Sequence, residues 1–332
     1  MKSPALLFTL ALGLFAQQPF VENAQVTAHA LSGTLATQLA ALGSGPFWAG
    51  YSVPMIAGRH TSERHGDGCW DNRDGVGGRD PVAPIRLEGQ TAMVVLVWVE
   101  AGKIHKLQTS SPDCSLDGGG LPFHWLVGVT VPASVAWLQT QTSGEKGDRA
   151  LYPLAMHAGP EADLALDQLT APSQPEKIRE RAVFWLGNTR GAKGIEALKR
   201  MLASDPNLKV REQVVFALSN SKDPAGLATL LDAARNDKAP QIRSKALFWL
   251  TQKAAGREAQ LVIGQAITDD EDRGVREQAV FALRNLPPDQ GTPLLIEVAK
   301  NTPDPAVRKK AMFWLGQSRD LKALDFFAQV LK

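Results

Sequence analysis

The chain has 332 residues, 44% of them hydrophobic and 21% charged, which allows about two domains with sizeable cores. Its 36 basic and 34 acidic residues nearly cancel, so the strong basic bias of a general nucleic-acid binder is absent and no nucleic-acid partner is expected.

At the start, Lys2, an apolar run from Pro4 to Phe15 and the small Ala16 have the layout of a secretory signal peptide over residues 1–16, with Ala24 as a competing cleavage point. That run is too short to span a bilayer, and no later stretch reaches the roughly 18 uninterrupted apolar residues of a membrane helix. The sequence therefore predicts an exported protein, periplasmic or extracellular, with no integral membrane segment once the signal is removed.

Residues 25–142 read as a small α+β domain. Leu31 to Leu42 is helix-like and stops at Gly43-Ser44-Gly45; Phe47 to Ala57 reads as a strand. Thr91 to Glu100 and Lys103 to Ser110 form a hairpin across the tight Glu100-Ala101-Gly102 turn. Pro122 to Val131 suggests a further strand, and Pro132-Ala133-Ser134 opens a helix running to about Gln141.

Two cysteines, Cys69 and Cys114, make an even count, which in an exported chain favours a disulfide. Closing that loop would contribute about 4 kcal/mol by chain entropy, useful to a domain with a modest core. Cys69 lies in a glycine- and charge-rich loop with His60, His65, Asp67, Asp71 and Asp74, whose spacing admits zinc or calcium. A disulfide-bonded Cys69 cannot be a thiolate ligand, and the carboxylates miss the order of a calcium loop. The expectation is a stapled surface loop with no metal and no cofactor. The alternative is a metal-binding or enzymatic module built from the loops around Cys69 and Cys114, with the remaining chain as its platform.

From about residue 149 to residue 332 the texture changes to a repeat. One phrase recurs five times: Val or Ile, Arg, two polar residues, a small or branched residue, an aliphatic, Phe, Trp or Ala, Leu. Its arginines are Arg179, Arg211, Arg243, Arg276 and Arg308, spaced by 32 or 33 residues. Such a period means stacked supersecondary units. Each phrase leads through a turn, as at Gly187-Asn188 or Asp223-Pro224, into a second apolar helix such as Ile195 to Leu202 or Leu324 to Leu331. Arg149 heads a degenerate sixth unit, with Leu and Ala in place of Phe and Trp, which suits a capping repeat.

On a helical wheel that starts at Ile178, about 100° per residue puts Ala182, Trp185 and Leu186 on one coherent stripe and Phe184 far from it. The alternation of Trp185, Trp249 and Trp314 with Ala217 and Ala282 suggests interdigitating core layers. The Phe column, Phe184, Phe216, Phe248, Phe281 and Phe313, has two possible places: wedged between units, or exposed along the edge as a partner-binding ribbon. Asp205, Asp237, Asp270 with Asp272, and Asp304 recur just before the arginines, which predicts a structural pairing of turn carboxylates with the next guanidinium. A ligand-binding arginine row is the competing reading.

The period and the wording "VREQAVFAL" resemble HEAT repeats, in particular the short HEAT-like units of phycobilisome lyases, over residues 149–332. That resemblance implies an all-α solenoid after the α+β domain and a surface that binds proteins. HEAT-type di-iron hydroxylases would need His-Glu metal ligands on repeat helices. All six histidines here, His29, His60, His65, His105, His124 and His157, precede the five clear repeats, and none is followed by Glu. No Gly-x-Ser-x-Gly nucleophile elbow occurs either. The sequence reading is a non-enzymatic, exported scaffold that binds a protein partner through the second-helix face of its solenoid or through the Phe edge.

Overall fold

The computed structural model describes residues 19–59, 78–79, 90–143, 147–252 and 256–331, and these divide into two compact units at Ala165 and Leu166. The expected signal segment and the loop holding His60, His65, Cys69, Asp67, Asp71 and Asp74 lie outside the described residues.

The first unit is α+β. Its larger sheet has the order β2-β8-β3-β5-β6, built from β2 (Val26–Ala30), β3 (Phe47–Arg59), β5 (Gln90–Glu100), β6 (Lys103–Ser110) and β8 (Phe123–Val127). β3, β5 and β6 are antiparallel neighbours, whereas β8 runs parallel to both β2 and β3. A small second sheet joins β1 (Phe20–Glu22), β7 (Ser115–Asp117) and β4 (Gly78–Arg79).

Sequence predicts the central strands well because β3 and β5 are buried on both faces and therefore read as continuous apolar runs. One face packs Trp48, Val94, Leu96, Leu116, Phe123 and Trp125 into a single cluster. The hairpin turn forms because Ala101 and Gly102 both adopt positive φ, 49° and 69°, as a two-residue primed turn requires. The short strand β1 and the edge strand β2 carry no comparable signal, since none of their side chains is fully buried.

Three helices complete this unit: α1 (Leu35–Ala41), α2 (Val131–Thr140) and α3 (Gly147–Met156). α1 starts at a reciprocal capping box between Thr34 and Thr37. α3, the first helix of the degenerate unit headed by Arg149, packs on α2 and β6, and α4 (Pro160–Leu169) contains the division between the two units. Cys114 is fully buried just before β7.

The second unit is helical throughout. α5 (Glu176–Thr189), α7 (Leu208–Asn220), α9 (Pro240–Gln252), α11 (Arg273–Arg284) and α13 (Pro305–Gly316) pack consecutively as one layer. Their partners α6 (Gly191–Ser204), α8 (Pro224–Asn236), α10 (Gly256–Asp269), α12 (Pro288–Asn301) and α14 (Leu321–Val330) form the other, each packed on the first helix of its own repeat. Leu198, Leu230, Ile263 and Leu295 from one layer and Val214, Ala246, Val280 and Ala311 from the other are buried in the core. Fully burying each of the larger aliphatics stabilises the stack by about 1.5–3 kcal/mol.

Local chemistry starts and ends these helices. Asp223, Asp272, Asp304 and Asp320 are N-caps whose carboxylates accept backbone N–H bonds from the first turn, and Pro224 and Pro305 follow as preorganised first residues. The α5–α6 turn is not at Gly187-Asn188, as the sequence suggests. Helix α5 continues to Thr189, and the reversal falls at Gly191, φ 50°. Gly187 is instead a contact point inside the helix, where an added Cβ would lie 2.7 Å from the Ala217 carbonyl oxygen of α7.

Glycines recur at a fixed place in the second helices. Gly194, Gly226 and Gly291 each stand eight residues after the phrase-ending leucine, and a Cβ on them would meet the carbonyl oxygen of Leu186, Leu218 or Leu283 at 2.1, 3.1 or 2.3 Å. The two helices of a repeat touch backbone to side-chain-free backbone there. Gly194→Ala is therefore expected to destabilise the stack by about 1–3 kcal/mol through overpacking, read as a lowered urea midpoint. An unchanged midpoint would show that this contact carries no close-approach constraint.

Candidate interaction surface

Repeat-to-repeat geometry begins with the arginines. Arg179 and Arg243 are almost completely buried, 4% and 5% exposed, which breaks the continuity that a ligand-binding arginine row would need. Arg243 holds Asp270 through two bonds, Nε to Oδ2 at 2.7 Å and Nη2 to Oδ1 at 2.8 Å. Arg179 pairs with Asp205, Arg211 with Asp237 at 2.6 Å, and Arg276 with Asp304 at 2.9 Å.

The pairing register differs by one repeat from the expected one. Each aspartate follows its arginine by 26 to 28 residues and so belongs to the turn that closes the same repeat, not to the arginine just after it. The following arginine instead reaches the turn by a main-chain bond. Arg211 donates to the Leu202 carbonyl, Arg243 to Asp237, Arg276 to Asp270 and Arg308 to Thr302. The guanidinium groups of Arg211, Arg243 and Arg276 thus tie the chain before their helix to the turn after their repeat, a use that needs the rigid fork of arginine.

These contacts set protonation as well. The Asp270 carboxylate, ahead of burial in effect, raises the Arg243 pKa, and the Arg276 hydrogen bond together with the Ala306 amide lowers that of Asp304 below 3.8.

The aromatics lie on the outer face of the first-helix layer. Phe184, Phe216, Phe248 and Phe281 are half-buried and Phe313 is 54% exposed, so the column is a half-exposed ribbon whose rings also meet rings of neighbouring repeats. The tryptophans are not core residues as their alternation suggests: Trp185, Trp249 and Trp314 are also half-buried and join the ribbon. The reason is the position of the buried arc. Arg179 and Val183 are buried with Ile178, Ala182 and Leu186, which moves the centre of the arc toward Leu186 and leaves Trp185 on its border.

Alternation of Trp and Ala is explained by pairing across repeats. Trp249 leans back on Phe216, ring centroids 4.8 Å apart, and Trp314 on Phe281 at 5.2 Å; both phenylalanines precede a small, buried alanine, Ala217 or Ala282. Phe184 and Phe216 stack directly at 6.4 Å. Within a repeat, Phe184, Phe248 and Phe313 meet Trp185, Trp249 and Trp314 edge-on at 5.1, 5.1 and 4.8 Å. Arg284 sits over the Trp314 ring at 4.9 Å, and the indole nitrogens of Trp249 and Trp314 are covered without an acceptor. Ion pairs Lys245–Glu212 and Lys310–Glu277 join successive helices of the same layer.

In the α+β unit the structure joins residues that the sequence left separate. His157 Nε2 lies 2.8 Å from Ser134 Oγ, Tyr51 Oη lies 2.9 Å from the same oxygen, and His157 Nδ1 bonds the Pro153 carbonyl at 2.6 Å. A serine and a histidine in this arrangement resemble a nucleophile and its base. Both are 0% exposed, so no substrate reaches them; the relay satisfies polar groups in the core. Burial, partly offset by Ser134, pushes the Tyr51 phenol far above its usual pKa and keeps it protonated. His29 and His124 form a second pair, 2.9 Å apart on β2 and β8, where burial and the neighbouring His29 lower the His124 pKa. No group of three or more metal-ligating side chains occurs among the described residues.

The family model for HEAT repeats matches residues 162–250 and 261–332. No curated protein matches the chain. Among solved structures, the complex of CpcE and CpcF of phycocyanin lyase from Nostoc sp. PCC7120 is similar at 24% identity and TM-score 0.35, covering 48% of this chain and 100% of that one. Human deoxyhypusine hydroxylase is similar at 17% identity and TM-score 0.27 over 60% of this chain and 90% of that one. The Escherichia coli protein YibA is similar at 22% and 0.35 over 57% and 70%. With its period, its two packed helical layers and the family match in agreement, the C-terminal region from residue 162 to residue 332 is a HEAT-repeat α-solenoid.

Proposed function

We propose that the protein is an exported, non-enzymatic scaffold that captures a protein partner along the aromatic ribbon of its first-helix layer. The observation that carries this reading is the continuity of that ribbon. Five phenylalanines and three tryptophans stay half-exposed or exposed on successive helices, although the same helices bury most of their aliphatic residues. Aromatic residues at the centre and charged pairs at the rim match the anatomy of protein interfaces. No helix among the described residues is long and apolar enough to cross a membrane. A Cys69–Cys114 disulfide fits the full burial of Cys114 and the export reading of the first 16 residues.

The test uses Phe248→Ser with Phe313→Ser, both at half-exposed or exposed ribbon positions. The double variant is expected to keep a single cooperative urea transition with a modestly lowered midpoint, while retention of the partner from the exported fraction of the source cells falls at least tenfold, about 1.4 kcal/mol. Undiminished retention would sink the proposal. So would a collapse of cooperative unfolding, which would make the ribbon a packing element.

A further inference from the structure

A site unrelated to the ribbon lies in the α+β unit. Between α1, the β5–β6 hairpin, the end of α2 and the start of α3 is an open cavity of about 1060 Å³. Its floor is apolar: Leu39, Leu107 and Trp137 are buried, and Ile104 is half-buried beside them. A volume of this order with a small set of polar groups at the edge is the usual form of a small-molecule site.

Among the described residues that line the cavity, the side-chain charges have one sign. Lys103 and Arg149 are exposed, His105 is half-exposed, and no carboxylate occurs among the described residues that line the cavity. Glu100, outside the lining, meets His105 at 3.9 Å and stands opposite Lys103 in the hairpin register; the cations on the lining itself are Lys103 and Arg149. Helix ends contribute partial charges of both signs, one positive from the start of α3 against two negative from the ends of α1 and α2, so their sum opposes an anion and the preference must come from the side-chain cations.

Apolar floor and cationic rim together call for a ligand with the opposite layout. We infer that this cavity binds a single-chain anionic amphiphile, with the hydrocarbon against Leu39, Leu107 and Trp137 and the carboxylate between Lys103 and Arg149. The guanidinium supplies a planar two-point contact that a carboxylate matches, while Lys103 acts as a point charge. Because the charged groups are exposed, the head-group contribution is screened by salt and the hydrocarbon contribution is not.

Decanoate, decan-1-ol and decyltrimethylammonium, titrated calorimetrically into the whole chain, test this directly. One decanoate per chain is expected, bound at least tenfold more tightly than either control and weakened by added salt. Lys103→Ala with Arg149→Ala is expected to reduce decanoate affinity to that of decan-1-ol without changing the latter. Ala40→Trp, which narrows the cavity from an exposed lining position, is expected to weaken binding of all three. No heat from decanoate, equal affinity for the cationic amphiphile, or decanoate binding insensitive to the double variant would overturn the inference.

Discussion

Arg243→Ala is expected to destabilise the solenoid by about 3–5 kcal/mol, the cost of leaving a buried carboxylate without its partner. The side chains of Arg243 and Asp270 are each 7% exposed, and the alanine would remove both bonds to Asp270 together with the bond to the Asp237 carbonyl. Position matters as much as burial. Arg243 belongs to the third of five clear repeats, so its loss weakens the link between the turns before α9 and after α10 in the middle of the stack. Repeat stacks owe their cooperativity to such nearest-neighbour terms. The urea transition should therefore move to a lower midpoint and broaden into two steps.

The companion variants make the argument quantitative in order. Arg211→Ala, whose pair is 14% and 7% exposed, should fall below Arg243→Ala, and Arg276→Ala, whose pair is 21% and 24% exposed, should cost least of the three. Arg243→Lys keeps the charge but not the fork, and should recover only part of the loss. Equal effects at all three positions, or an Arg243→Ala midpoint within error of wild type, would remove the tie from the account of stability.

Ser134→Ala should be the most damaging small substitution in the α+β unit, at about 2–3 kcal/mol. Its hydroxyl stands between Tyr51 Oη and His157 Nε2, and the alanine takes a partner from a fully buried phenol, which costs about 1–3 kcal/mol for each polar group so deprived. Tyr51→Phe removes the phenol oxygen itself and leaves the Ser134–His157 bond in place, so it should cost only about 1 kcal/mol. Adding Tyr51→Phe to Ser134→Ala should then regain stability, because no buried hydroxyl is left without an acceptor or donor. Hydrogen exchange at the amides of α2 reads the effect locally. Additive losses in the double variant would show that the three groups are not coupled.

Much of the fold is legible because the strong signals are local. β3, β5, β6, β8 and α2 overlap their predicted spans, since central strands are continuous apolar runs and Pro132-Ala133-Ser134 follows the Thr130 cap. The repeat period places all ten solenoid helices for the same reason. What escaped is of three kinds. Strands β1 and β2 are too short and too exposed for periodicity to speak. Gly187 reads as a turn residue, yet its role is to let α5 approach Ala217, a contact about 30 residues away in sequence. Ser134 and His157 are ordinary residues apart, and the sequence contains no signal that one helix and the end of another bring them within 2.8 Å.

The sequence by itself determined that there are two parts, that the second is a stack of two-helix units, and that an arginine, a phenylalanine and a leucine hold fixed places in each. These follow from spacing, and spacing along a helix fixes which residues share a face. Only the tertiary structure decided which aspartate each arginine holds, because the guanidinium can reach the turn on either side. It also decided that Trp249 and Trp314 belong to the outer ribbon with the phenylalanines: the centre of a helix's buried arc is set by where its neighbours press on it, and one helix's sequence does not contain its neighbours.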